Sequence, residues 1–180
     1  MIYGEGLRLR AIEREDIPRF VRWFNDPQVR GFLLMYEPLS RAKEERWFEE
    51  HLTRKDEFLF AIEVKEGEDW VHIGNLGLHR IDWKNRVATL GIVIGEKAYW
   101  NRGYGTRAVL VALEYAFFEL GLNRVELEAF SFNQRAIRCY QKAGFRHEGV
   151  RRQALFRDGR YHDVLIMGIL REEFSRGGSG

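Results

Sequence analysis

Two stretches of this chain carry residue types whose spacing could do chemistry. The first is Trp100–Ala108, WNRGYGTRA, where Gly103 and Gly105 bracket a tyrosine and open an apolar run, AVLVALEYAFFEL. Its GYGTRA core matches the G-x-G-x-x-A dinucleotide fingerprint, and Glu126 and Glu128 follow roughly 20 residues on, where that fingerprint asks for an acid. The context argues against it. GEKAYWNR separates the preceding strand from Gly103, and too little chain follows for a dinucleotide domain with a substrate domain. A simple bend into a helix would need neither two glycines nor the flanking Arg102 and Arg107. The remaining reading is an anion cradle. The first N–H groups of a helix lack internal partners, glycine removes side chains from the approach, and the helix dipole and Arg102 add favourable charge. No Gly-Lys-Ser/Thr follows, so a nucleoside triphosphate loop is not supported.

The second stretch is Asn133–Phe145, NQRAIRCYQKAGF. As a helix it places Asn133 and Tyr140 two turns apart on one face, with Ala136 and Ile137 between them. Cys139 lies about 100° away around that helix and has no His/Asp pair beside it, so it reads as a structural thiol rather than a nucleophile. The histidines, His51, His72, His79, His147 and His162, show no metal-ligand spacing, and no metal is expected.

The elements that must position these stretches follow from periodicity. GLRLRAI alternates as a strand, and EREDIPRFVRWFND is a helix, ended by Asp26-Pro27. Ser40 caps a helix running to about Thr53. EFLFAIEVK and WVHIGNLGLHRI are strands joined by the turn EGED, and RVATLGIVIG is a third. Gly105–Leu120 is a buried helix with Gly121 just past its end, RVELEAF a strand, and NQRAIRCYQKAG a helix capped by Asn133 and closed by Gly144. A final hairpin turns at Asp158-Gly159 through a type I′ turn. The order β-α-α-β-β-β-α-β-α-β-β predicts a mixed α/β sheet in one domain, 1–174, with 175–180 as a flexible tail.

Composition bounds the rest. The 180 residues include 29 basic and 27 acidic side chains, thoroughly mixed, for a net charge of +2, which is no electrostatic footprint for nucleic acid. The single cysteine excludes an intramolecular disulfide and fits a reducing compartment. The opening MIYGEGLRLR lacks a signal peptide's apolar core, and the apolar run Ala108–Leu113 is far too short for a membrane span, so a cytoplasmic protein without membrane association is expected.

IVIGEKAYWNRGYGTRA and NQRAIRCYQKAGF together resemble the GCN5-related N-acetyltransferase (GNAT) superfamily, and specifically its branch of ribosomal-protein and polyamine acetyltransferases. LRLRAIEREDIPRF, NDPQVRGFLL and FRDGRYHDVLIM extend the resemblance from about Leu7 to Leu170. It implies a central, mostly antiparallel twisted sheet flanked by helices, with acetyl-CoA as co-substrate. The implied CoA contacts are the strand Ile92, Val93 and Ile94, the loop Trp100, Asn101, Arg102, Gly103, Tyr104, Gly105 and Thr106, and Asn133, Tyr140 and Lys142. The backbone N–H of Val93 is expected to polarise the thioester carbonyl, and Tyr140 to protonate the departing thiolate.

Two departures stand out. Trp100 replaces the family's Gln or Arg at the head of the loop, and Thr89 stands where many relatives carry a glutamate that serves as general base. Glu37 and Glu128 are the candidates for an acceptor-side carboxylate, and a chain of waters could replace both. The implied function is direct transfer of acetyl to a primary amine: an N-terminal peptide amine, a polyamine or an amino sugar. A CoA-binding sensor without turnover is the alternative that Thr89 leaves open. The branch is compatible with a homodimer.

Overall fold

In the computed structural model, residues 1–175 are described. Eight strands form one sheet in the order β1-β2-β3-β4-β5-β6-β8-β7. They are β1 (Ile2–Gly4), β2 (Leu7–Ala11), β3 (Phe58–Glu66), β4 (Asp69–Asp82), β5 (Val87–Ile94), β6 (Arg124–Phe130), β7 (Arg146–Arg157) and β8 (Arg160–Leu170). Every neighbouring pair is antiparallel except β5–β6. The predicted strands and longer helices are all present. Two short elements were not foreseen. β1 pairs with β2 through a turn at Glu5-Gly6, and Asp26 does not merely end a helix: its side chain accepts from Gln28 N and starts α2 (Pro27–Arg30).

Helix α1 (Ile17–Asn25) follows a 3₁₀ turn at Arg14–Asp16, which leaves Pro18 in the first turn, where its missing N–H costs nothing. Helix α3 (Arg41–Leu52) carries the expected cap, Ser40 Oγ accepting from Lys43 N at 3.2 Å. Helix α4 (Tyr104–Glu114) opens one residue earlier than predicted, and its last turn, Tyr115–Glu119, widens to π spacing. Helix α5 (Gln134–Lys142) is capped by Asn133, whose Oδ1 accepts from Ala136 N. Asp158 and Gly159 both have positive φ, 51° and 76°, as a type I′ hairpin requires. Apart from Ser175, the expected tail lies outside the described residues.

The sheet buries both faces. On one, α4 and α5 pack Ala108, Val109, Ala112, Leu113, Phe117 and Tyr140 against Leu76, Leu78, Leu90 and Leu127. On the other, α1 to α3 bring Ile17, Phe20, Trp23, Val29 and Phe48 onto Ala61, with Leu59, Val93 and Trp100 at the margin. Two covered faces are why β3 and β4 read as nearly continuous apolar runs rather than alternating ones. Among the described residues no helix is long and apolar enough to cross a membrane.

Candidate active site

The site begins where two strands part. β5 and β6 pair only at Val87↔Arg124, Ala88↔Val125 and Thr89↔Glu126. β5 continues against β4 to Ile94 on its other side, and β6 continues against β8 to Phe130. Between the diverging strands lies a cleft of about 780 Å³.

An antiparallel ladder alternates peptide groups between its two sides. Gly95 N donates to Ile73 O of β4 at 2.9 Å, so Gly91 and Val93 also direct their peptide groups to β4. Ile92 and Ile94 face the opposite way, into the opening, and the Ile94 carbonyl accepts from Trp100 Nε1 at 2.7 Å. This corrects the expectation at Val93. Its N–H belongs to the β4–β5 ladder, and the strand donor on the cleft is that of Ile92 or Ile94. The Val93 side chain lies on the α1–α3 face.

At the open end, Gly103 is the N-cap of α4 with φ +80°, and no side chain caps the helix. A Cβ there would touch nothing within 4 Å, so the left-handed backbone rather than crowding calls for glycine. Asn101 is also left-handed, at φ 61°. The helix therefore presents uncapped N–H donors to the cleft, a fit for a pyrophosphate. Trp100 has a different part from the residue it replaces. Besides its bond to Ile94, its ring lies under the Arg135 guanidinium at 3.8 Å and meets Phe32 edge-on, so it ties the loop to β5 and to the opposite wall.

Of the predicted CoA contacts, Ile92, Val93, Ile94, Trp100, Asn101, Gly103, Tyr104, Gly105, Thr106, Asn133, Tyr140 and Lys142 all line this one cleft, and Arg102 does not. The Arg102 guanidinium lies 5.7 Å above the Tyr99 ring, outside the wall. Asn133 caps with its oxygen, which leaves its amide N–H groups to donate. Tyr140 is 6% exposed, and no hydrogen bond engages its hydroxyl among the described residues. Burial pushes its phenol above the ordinary range, so it stays protonated. Burial likewise pushes the Cys139 thiol up, against smaller opposing effects of Thr106, Lys142 and Arg135, which disfavours the thiolate.

The two candidate carboxylates separate. Glu37 is exposed, pairs with Lys43 at 2.6 Å and does not line the cleft. Glu128 does line it, on β6, but forms an ion pair with Arg151 of β7.

Several wall residues were not anticipated. Val29, Phe32, Leu33 and Leu34 make an apolar side, and Arg157 of β7 holds that turn by donating to Arg30 O, Gly31 O and Leu33 O. At the closed end stand Arg54, Glu57, His79, Arg80 and Thr89. Glu57 accepts from His79 Nδ1 at 2.7 Å through one oxygen and meets His51 Nδ1 at 2.9 Å through the other. Burial alone would raise its carboxyl, but the contacts with His79 and His51 outweigh that and lower it. The pair was readable in principle: extending the register Phe58↔Leu78 by one step sets Glu57 opposite His79.

The family model for the acetyltransferase (GNAT) domain matches residues 6–146. The SPbeta prophage-derived uncharacterized N-acetyltransferase YokL of Bacillus subtilis is 35% identical over 95% of this chain and 93% of its own length. The putative ribosomal N-acetyltransferase YdaF of the same organism is 35% identical over 95% of this chain and 94% of its own. The crystal structure of spermidine N-acetyltransferase from Vibrio cholerae, in complex with CoA and spermine, superposes with a TM-score of 0.87 at 27% identity, covering 94% of this chain and 98% of that one. A parted β5–β6 pair, an uncapped helix mouth beside it and this breadth of similarity lead to one conclusion: the chain belongs to the GNAT acetyltransferase family.

Proposed function

We propose that this acetyl-CoA-dependent enzyme transfers acetyl directly to a single primary amine, carried on a peptide N-terminus or an amino sugar, with Tyr140 as general acid. The observation that carries the reading is the parted β5–β6 pair. It leaves strand peptide groups free beside a buried, unengaged phenol.

Acetyl-CoA supplies an activated acyl group and a good leaving thiol. The amides of Asn101 and Gly103–Thr106 bind the pyrophosphate, with Lys142 adding charge. Asn133 and the free peptide groups of β5 align the pantetheine arm. The N–H of Ile92 or Ile94 stabilises the oxyanion as it develops. Tyr140 gives its proton to the leaving sulfur.

The charges at the acceptor end support a single amine over a polycation. Glu57 has Arg54 at 4.0 Å and Glu128 has Arg151, so neither carboxylate is uncompensated there. Carboxylates without such partners would favour a polyamine more strongly. The reading is tested by thiol release from acetyl-CoA with an N-terminally free peptide, glucosamine and spermidine. The first two are expected to outrun spermidine, and the reverse order would overturn the preference. Tyr140→Phe should lower kcat about 10²-fold with acetyl-CoA affinity nearly unchanged; wild-type turnover would remove the acid role.

A cytoplasmic location fits the single cysteine. A homo-oligomer, at least a dimer, is the assembly we expect. A dodecamer is described for the V. cholerae enzyme, and light scattering on this protein would read its own state.

A further inference from the structure

We infer that His79, oriented by Glu57, is the general base that takes a proton from the acceptor amine, the task left vacant by Thr89. Four observations converge on it. First, His79 is the cross-strand partner of Thr89, so its side chain leaves the same face of the sheet as the position the family glutamate would fill. Second, its Nδ1 is bound by Glu57, whose side chain is only 7% exposed, while the His79 side chain is 36% exposed and lines the cleft. That leaves Nε2 for chemistry, in the arrangement by which a carboxylate fixes the tautomer of a working imidazole.

Third, the ring lies over the cross-strand pair Gly77↔Gly91. A Cβ at Gly77 would run into Nε2, and one at Gly91 would stand 3.4 Å from it. Two facing glycines clear a path for the imidazole along the sheet, on the face where Val93 and Leu33 lie. Fourth, β4 bulges immediately after His79, with Arg80 left-handed at φ 49°. Bulges of this kind re-aim a side chain beside an active site.

The acceptor ammonium gives one proton to Nε2 of His79. Its freed lone pair forms the C–N bond to the acetyl carbon, the C–S bond breaks, and Tyr140 protonates the sulfur. The nitrogen loses a second proton, which restores Tyr140 through solvent, and His79 releases its own to water. Ammonium and thioester thus become amide, thiol and one proton. Glu57 is a positioning residue: it touches the imidazole and not the amine. The charged and titratable groups facing His79 are Glu57, with His51 behind it on α3, Arg54 and Asp56 before β3, Arg80 on β4, and Glu128 across the cleft on β6.

This inference rests on the acetyltransferase reading, and the experiment separates the two. With the fastest amine of the panel above, kcat/KM is followed against pH for the wild type, His79→Gln, His79→Ala and Glu57→Gln. His79→Gln should lose 10²–10³-fold, on the order expected for a general base, and lose the acidic limb of the profile, with acetyl-CoA affinity within about twofold of wild type. Added imidazole should restore part of the rate to His79→Ala. Glu57→Gln should lose roughly 10-fold in kcat without a change in the KM for acetyl-CoA. His79 variants that bind acetyl-CoA and keep the wild-type rate and acidic limb would overturn the assignment. A wild type that binds acetyl-CoA and acetylates no amine of the panel would instead overturn the transferase reading.

Discussion

Two histidines of β4, His72 and His79, each meet a buried carboxylate, and they are built for opposite ends. His72 sits on β4 under α1, its side chain 2% exposed. Its Nδ1 meets Asp16 at 3.1 Å and Arg19 at 3.0 Å, and its Nε2 lies 2.9 Å from both Gly74 O and Asn75 Oδ1. Trp23 and Phe20 pack edge-on against its ring. Every polar atom has a partner and no face is open. His79, further along the same strand and lining the cleft, has a carboxylate on one nitrogen and no hydrogen-bond partner on the other among the described residues. A fully engaged imidazole can only hold the structure together, whereas one with a free nitrogen on a cleft can exchange a proton with a ligand. Residue types do not separate the two cases; the second nitrogen does.

The largest effect should come from breaking the buried pair. Asp16 also accepts two hydrogen bonds from Arg10, at 2.7 and 2.9 Å, and one from Glu13 N. Burial pushes its carboxyl up, but the Arg10, His72 and Glu13 bonds outweigh it and hold the group well below the usual carboxylate range. Asp16→Asn should cost about 3–5 kcal/mol in urea unfolding at pH 7, the usual penalty for removing one partner of a buried pair. Because the folded-state value is depressed, that stability is present above the unfolded value near 3.8 and fades as pH falls below it, so mutant and wild type should converge in acid. The folded mutant should keep the wild-type pH–rate profile, and a lost acidic limb would blur the distinction between the pairs.

A smaller perturbation addresses the other pair without touching its atoms. Gly77→Ala would displace the His79 ring from its course over the sheet. We expect about a 10-fold loss of kcat/KM, equal to roughly 1.4 kcal/mol of barrier, and a stability cost of about 1–3 kcal/mol for the added methyl. Unchanged kinetics would mean that the ring's position is immaterial.

The smallest effect concerns a buried carboxylate with no histidine at all. Glu44 on α3 is 5% exposed, has no ion pair among the described residues, and is pushed up to about 7 by burial alone. A raised folded-state value gives stability below the unfolded pKa that is lost as pH rises toward 7. Glu44→Gln should therefore be more stable than wild type by on the order of 1–2 kcal/mol at pH 8 and no different at pH 4, read by thermal melts at both. An equal effect at both pH values would show that packing, not charge, governs the site.

What could be read without coordinates depended on how local each signal was. The Ser40 and Asn133 caps, the glycines beyond α4 and α5 and the Asp158-Gly159 turn act within a few residues, and each stands where expected. So do the loop at Gly103 and the Asn133–Tyr140 face. The exceptions fell where one residue's surroundings come from elsewhere in the chain. Glu37 looked acidic and near the mouth, yet it pairs with Lys43 in solvent and does not line the cleft. Val93 lay in the right strand, but one position of register decides which peptide groups face β4 and which face the opening.

The sequence by itself determined the family resemblance, the mixed sheet, the glycine N-terminus of α4 and the shared Asn133–Tyr140 face of α5, because their signals lie within single elements and the loops beside them. Only the tertiary structure decided which residue can act as base. Glu57 and His79 meet because the β3–β4 register sets them opposite each other, and Gly77 and Gly91 leave room for the ring only once β4 and β5 are paired. A proton acceptor is defined by what surrounds it, and here those surroundings come from three strands and a helix.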